Sequence, residues 1–186
     1  IYMALAELGL FGVALPEEAG GAGLNAQTAC LVMEEIARGS GAVGNAFAIP
    51  VEAVLFLNHH GSEQHKALIP GLLDGSVISA TAVTEPDCGS DVAAMTTTAR
   101  RDGDDYVISG SKAWVTFGQI ADVVIVFAKT DPAAGAKGIS CILVETDRDG
   151  VYRGKSEELL GMHGLAECVI TFDRVRVPAG NLIGPE

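Results

Sequence analysis

Basic residues are scarce in this chain: 12 lysines and arginines stand against 24 aspartates and glutamates in 186 residues, a formal charge of −12. A surface of that sign repels nucleic acid and anionic lipid, so neither counterion release nor Coulomb steering supports a polyanion-binding role. No nucleic-acid or membrane partner is expected. Cysteine is thin as well. Cys30, Cys88, Cys141 and Cys168 are widely spaced, form no CxxC pair and have no histidine at zinc-ligand spacing, which reads as reduced thiols in a cytosolic-type protein and predicts no metal. No apolar run approaches the roughly 20 residues needed to span a bilayer; the longest, around Val123–Ala128 and Ile142–Val144, are strand-sized. A GxSxG elbow and any local signature of a nucleophilic serine or cysteine are missing too. His59, His60 and His65 fall near helix ends, where solvated or capping roles are expected.

What is present is apolar bulk: 48% of residues are hydrophobic, enough for one large domain or two small ones. From Ile1 to about Gly75 the spacing is helical. Ala29, Val32, Met33, Ile36 and Ala37 recur at three- and four-residue intervals behind Asn25, a candidate N-cap, and Gly39 ends that helix. A second helix over Val51–His60 is closed by Gly61, and Ser62-Glu63-Gln64 opens a short third one reaching Ile69 before Pro70. After Gly75 the period changes to that of strands, at Val77–Thr84, Thr96–Arg101, Tyr106–Ser109, Ala113–Phe117, Val123–Thr130, Ser140–Glu145 and Val169–Phe172, with Asp102-Gly103 as a hairpin turn. Short strands with no helical pattern between them predict an antiparallel barrel or sandwich, not a parallel βαβ sheet. The expected fold class is α+β, with a helical domain over 1–76, truncated at its start, and an antiparallel β-barrel over 77–186.

Three segments have the residue types of a site. Gly21-Ala22-Gly23-Leu24-Asn25-Ala26 imitates a dinucleotide fingerprint, but it follows Pro16-Glu17-Glu18 instead of a strand and leads into an all-helical stretch, so a loop is the better reading. Thr81-Ala82-Val83-Thr84 runs into Glu85-Pro86-Asp87-Cys88-Gly89-Ser90-Asp91. There Pro86 pushes Glu85 toward extended geometry, Gly89 allows close approach of a ligand, and Ser90 supplies a hydroxyl. Such a loop can hold a phosphate without positive charge, and it can equally be an ordinary β-turn. In Ser111-Lys112-Ala113-Trp114-Val115-Thr116 the only tryptophan stands two residues before a threonine, so both side chains leave one face of a strand. A flat ring beside a hydroxyl suits a planar heterocycle; a core tryptophan next to a satisfied threonine is the other reading. The carboxylates Glu17-Glu18, Asp102/Asp104/Asp105 and Glu157-Glu158 read as solvated charge.

Taken together, these residues resemble the acyl-CoA dehydrogenase family. Thr84-Glu85-Pro86-Asp87-Cys88-Gly89-Ser90-Asp91 is similar to its TEPxxGSD signature and Trp114-Val115-Thr116 to its W-[IV]-[ST] signature. Gly9-Leu10-Phe11-Gly12 through Pro16-Glu17-Glu18-Ala19-Gly20-Gly21 and Phe172-Asp173-Arg174-Val175-Arg176-Val177-Pro178 are similar to two further family stretches, so the likeness covers almost the whole chain. It implies FAD as cofactor, bound by Thr81, Ala82, Val83, Thr84, Gly89, Ser90, Trp114, Val115 and Thr116. Thr84 would bond the ring system, Ser90 would lie near the pyrophosphate and the acyl-CoA, Trp114 would pack on the ring face away from substrate, and Thr116 would address N5.

The implied reaction is α,β-dehydrogenation of an acyl-CoA thioester, with electrons passed to an electron-transfer flavoprotein by a homo-oligomer. An acyl-CoA oxidase, a flavin monooxygenase, or a non-catalytic flavin half-site are alternatives on the same fold. In the family the catalytic base is a glutamate of a C-terminal helical domain, expected beyond Glu186. No catalytic residue is therefore expected within these residues, which are predicted to bind FAD weakly and turn over no substrate, and Glu85 is expected to be a structural turn residue. The expected location is cytoplasmic, with any targeting segment lying upstream of Ile1. One departure stands out. Gly161-Met162-His163-Gly164-Leu165-Ala166-Glu167 occupies the place of the family's G-[MLI]-R-x-S-x-T, with His163 for arginine and Leu165 and Glu167 for hydroxyls.

Overall fold

Asn25 caps the helix that its position predicts: its side chain accepts the Thr28 N–H at 2.9 Å, and helix α2 runs Ala26–Gly39. The computed structural model describes residues 1–186. Its contacts divide into two units, Ile1–Ser79 with Glu158–Leu165, and Ala80–Glu157 with Ala166–Glu186. In the first, α1 (Tyr2–Glu7), α2, α3 (Gly41–His60), α4 (Glu63–Lys66) and α5 (Ile69–Asp74) surround a core of Leu5, Phe11, Val13, Phe47 and Val51. Ser40 closes α2 and opens α3, where its hydroxyl accepts from Val43 N. Helix α3 thus begins ten residues before the Val51 start expected from the sequence and runs through Pro50. Burial of Pro50 among core residues holds the proline inside a helix it would otherwise interrupt.

That merger also corrects the expectation about apolar runs, because α3 is 20 residues long and apolar enough to cross a bilayer by length and composition. Ala42, Phe47, Val51, Ala53, Val54 and Leu57 are buried in the protein, so core packing accounts for part of its apolarity. Two further differences are local. The short helix stops at Lys66, and Pro70 lies in the first turn of α5, where its missing N–H has no intrahelical partner to lose. His65 is neither solvated nor a C-cap: it is fully buried, and its Nδ1 accepts the Ser62 N–H at 3.1 Å in a capping box.

The second unit is built on β1 (Ser79–Ala82), β2 (Thr98–Asp102), β3 (Asp105–Thr116), β4 (Val123–Lys129), β5 (Ile139–Glu145), β6 (Val151–Arg153), β7 (Glu167–Pro178) and β8 (Leu182–Ile183). They form one sheet in the order β6-β7-β3-β2-β4-β5-β8, with β1 beside β4. An antiparallel barrel was expected; the sheet is mixed and not closed. Strand β3 is already flanked by β2 and β7, so β4 lies outside β2 and pairs with it in parallel, Thr98 opposite Lys129. The two expected strands on either side of Gly110 are one continuous 12-residue strand.

Two bulges in the β3–β7 ladder govern which side chains face the core. Between Ile108/Val175 and Gly110/Phe172 the extra residue is on β7, and Arg174 takes a left-handed φ of 51° there. Cys168, Ile170 and Phe172 and, after the bulge, Val175 and Val177 therefore share one buried face although their numbering changes parity. Between Lys112/Ile170 and Val115/Cys168 the extra residue is on β3. Gly110, at φ 148°, sits against Thr97, whose Oγ1 would lie 2.4 Å from any Cβ added there. Asp102 and Asp105, expected to be solvated, face Arg176 across the sheet surface at 2.6 Å and 3.6 Å.

Candidate functional site

Lys112 has no exposed side-chain surface, a position lysine almost never takes without a partner. Its partner is Glu85, 3.0 Å away and only 5% exposed. The ammonium also donates to the Val83 carbonyl at 2.9 Å. Glu85 collects more: Oε2 accepts the N–H and hydroxyl of Thr96, each at 2.7 Å, and Oε1 accepts the Thr97 N–H at 2.9 Å. Around it the chain folds back on itself, Glu85 and Cys88 exchanging backbone hydrogen bonds of 2.8 and 3.2 Å with Pro86-Asp87 at the tip. Glu85 is thus a turn residue, as expected, and also the anchor that ties the loop to the start of β2 and the middle of β3. Lys112 was not singled out in the sequence, although a lysine among inward-facing strand positions is the available signal.

Burial pushes the Glu85 carboxyl up, but the hydrogen bonds from Thr97 and Thr96 outweigh it and hold the group at about 2, below its usual 4.5. Burial lowers the Lys112 ammonium, and Glu85 opposes that shift. A carboxyl whose folded value is depressed contributes stability that is complete above its unfolded value and is lost as pH falls through the folded one. The stability gap between wild type and Glu85→Gln is therefore expected to be flat above about pH 5 and to narrow as pH drops from 4.5 toward 2. Urea melts of both proteins across that range check it; a gap unchanged at pH 2.5 would contradict the assignment.

The bulge after Lys112 turns the strand over. Lys112 faces inward, and Trp114, two residues later, faces out with 58% of its surface exposed and a left-handed φ of 56°. Positive φ in a bulky residue is strained, and such strain clusters at functional positions. Phe117 repeats it at 63°, so Val115-Thr116 is held between two strained residues. Val115 is in the core and Thr116 is half-buried, so the shared face of Trp114 and Thr116 survives the bulge. The alternative of a core tryptophan does not.

Thr116 lies opposite Glu167 at the start of β7 and donates its hydroxyl hydrogen to Glu167 Oε1 at 2.6 Å. Glu167 is 8% exposed, and its other oxygen, Oε2, is buried without a hydrogen-bond partner. Leaving a buried acceptor unsatisfied costs about 1–3 kcal/mol, more for a charged group. The neighbouring Cys168 thiol is pushed up by burial first and by the Glu167 charge second.

The remaining sequence candidates divide by side-chain direction. Ala82 and Val115 are core residues, so a ligand could meet them only through the main chain. Thr81 and Thr84 are half-buried, and the Thr84 carbonyl accepts the Ala113 N–H at 2.8 Å, which joins the two signature segments directly. The Val83 carbonyl is taken by Lys112. Gly89 and Ser90 are exposed; Gly89 has an ordinary φ and no atom within 4 Å of an added Cβ, so nothing in its own fold requires glycine there. At the Gly21–Ala26 loop the N–H groups of Gly21, Ala22, Gly23 and Leu24 are all bonded to carbonyls of Gly12, Val13, Leu15 and Pro16. A Cβ on Gly21 would lie 2.1 Å from the Leu15 carbonyl oxygen, so that glycine serves packing.

Residues 1–76 match the description "Acyl-CoA dehydrogenase, N-terminal domain", and residues 80–175 match "Acyl-CoA dehydrogenase, middle domain". The chain belongs to the acyl-CoA dehydrogenase family. It is 40% identical to mitochondrial isovaleryl-CoA dehydrogenase of Pongo abelii, over 98% of this chain and 44% of that protein. A chain from the electron transferring flavoprotein structure of Acidaminococcus fermentans superposes with a TM-score of 0.94 at 33% identity, covering 100% of this chain and 49% of that one. A glutaryl-CoA dehydrogenase from Mycobacterium smegmatis in complex with FADH2 gives 0.91 at 32% identity, with 98% and 46% covered. The chain spans about half the length of the curated relatives it matches.

Proposed function

We propose that this family member binds FAD on the face carrying Trp114 and Thr116 and serves α,β-dehydrogenation of an acyl-CoA thioester, with an electron-transfer flavoprotein as electron acceptor. The observation that carries the reading is Trp114, a large ring held outside the core in a strained conformation that the sheet has no need of. Three further features fit a flavin. Gly89 keeps space open beside the exposed Ser90 hydroxyl, Thr84 is tied to the strand of Trp114, and Glu167 keeps a buried oxygen without a donor beside Thr116. The family membership and the glutaryl-CoA dehydrogenase relative with FADH2 support the same cofactor.

In this reading the chain's own residues position and shield. Trp114 covers one ring face and excludes water from it, and Thr84 and Thr116 orient the ring edge through hydrogen bonds. Gly89 and Ser90 take the phosphates by backbone approach and a hydroxyl, consistent with a loop free of lysine and arginine. Glu85 and Lys112 make no ligand contact; they hold Val83, Thr84 and Ala113 in place. When bound, FAD supplies the acceptor for the hydride that leaves the substrate β carbon. Proton removal from the α carbon is assigned to no residue of this chain.

FAD titration of the full-length protein, followed by flavin fluorescence, tests the reading. Saturable quenching is expected in the wild type and affinity at least about threefold weaker in Trp114→Phe. Binding indifferent to that substitution would move the site elsewhere. The part of the wild-type tryptophan emission that Trp114→Phe removes should fall in step with the flavin signal.

A further inference from the structure

Glu167 stands where the family pattern has a hydroxyl residue, and nothing in the sheet explains a carboxylate there. Its Oε1 lies 2.6 Å from the Thr116 hydroxyl oxygen, and its Oε2 is buried with no donor. An ionised carboxylate can only accept hydrogen bonds, whereas threonine has one hydrogen to give. That hydrogen is committed to Glu167, and Thr116 Oγ1 retains only lone pairs for any other neighbour. Threonine at position 167, with a hydrogen of its own, could satisfy Thr116 from either direction. Glutamate removes that choice.

Deepening the flavin reading above and resting on it, we propose that Glu167 is a positioning residue that makes Thr116 a hydrogen-bond acceptor and so favours the reduced flavin. N5 of the oxidised ring is an acceptor and is mismatched with such an oxygen; N5 of the reduced ring carries a hydrogen and is matched. The carboxylate charge acts in the opposite sense, since it disfavours added electron density on the ring. The two effects separate because only the first passes through the Thr116 hydroxyl.

The test is a double-mutant cycle on the midpoint potential of the FAD-loaded full-length protein, comparing wild type, Glu167→Met, Thr116→Val and the double variant. In the Thr116→Val background Glu167→Met removes only the charge. With Thr116 present it also frees the hydroxyl to donate to oxidised N5. The shift caused by Glu167→Met is expected to be more negative with Thr116 present by about tenfold in the reduced-to-oxidised ratio, about 30 mV for a two-electron couple. Glu167→Gln, which keeps the shape of the side chain, provides a second variant with the same sign and a smaller size. Equal shifts in both backgrounds would leave Glu167 as a distant charge and overturn the proposal. FAD affinities measured on the same samples keep the two readings apart. Binding that ignores Trp114→Phe sinks the flavin site itself, and normal binding without coupling sinks only the role of Glu167.

Discussion

Lys112→Met is expected to destabilise the protein by about 3 kcal/mol, because it leaves the buried Glu85 carboxylate without its counter-charge. Removing one member of a buried pair generally costs about 3–5 kcal/mol. The lower end applies here, since Thr96 and Thr97 still supply three hydrogens to Glu85. In a chain of this size that corresponds to a fall of about 10 °C in the melting temperature. Adding Glu85→Gln to Lys112→Met removes the stranded charge and is expected to restore part of the loss. Chemical melts of the single and double variants check both statements. A loss below about 1 kcal/mol for Lys112→Met would show that the ammonium is dispensable and that the threonine donors alone hold the loop.

Gly89→Leu should do the reverse, sparing stability and removing ligand affinity. The φ of Gly89 is ordinary and an added Cβ meets no atom within 4 Å, so folding stability is expected to change by no more than about 0.5 kcal/mol. Under the flavin reading the new side chain occupies the space that the phosphates need, and FAD affinity should fall at least about tenfold, or about 1.4 kcal/mol. Gly89→Ala, with a smaller side chain, should lie between. Calorimetric titration beside a thermal melt separates the outcomes. Full affinity in Gly89→Leu would exclude this loop from the site. Lys112→Met and Gly89→Leu therefore form a matched pair: one residue supports the loop from inside, and the other keeps its outer face clear.

The candidate site was legible in outline because its parts are local. TEPxxGSD and W-[IV]-[ST] are contiguous stretches, and the hydroxyl, glycine and tryptophan they contain are interpretable without knowing what lies opposite them. Pro86 constrains Glu85 directly toward extended geometry, and the family resemblance implied its structural turn role. The partners were not legible. Glu85 meets Lys112 across 27 positions and Thr116 meets Glu167 across 51, and no local rule connects residues so far apart. Glu167 could be seen as a departure from the family pattern, but only the β3–β7 register sets it against Thr116.

Composition, period and caps determined by themselves that helices precede strands and that Asn25 starts α2, and the contiguous motifs carried the resemblance to this family. These depend on interactions within a few residues, which act in any fold. Tertiary structure decided the path of α3 through Pro50, the open mixed sheet in place of a barrel, and the inversion that buries Lys112 while exposing Trp114. The physical reason is the two-residue period of a strand. A single bulge residue exchanges every inward position for an outward one, and whether it is inserted depends on the strand alongside.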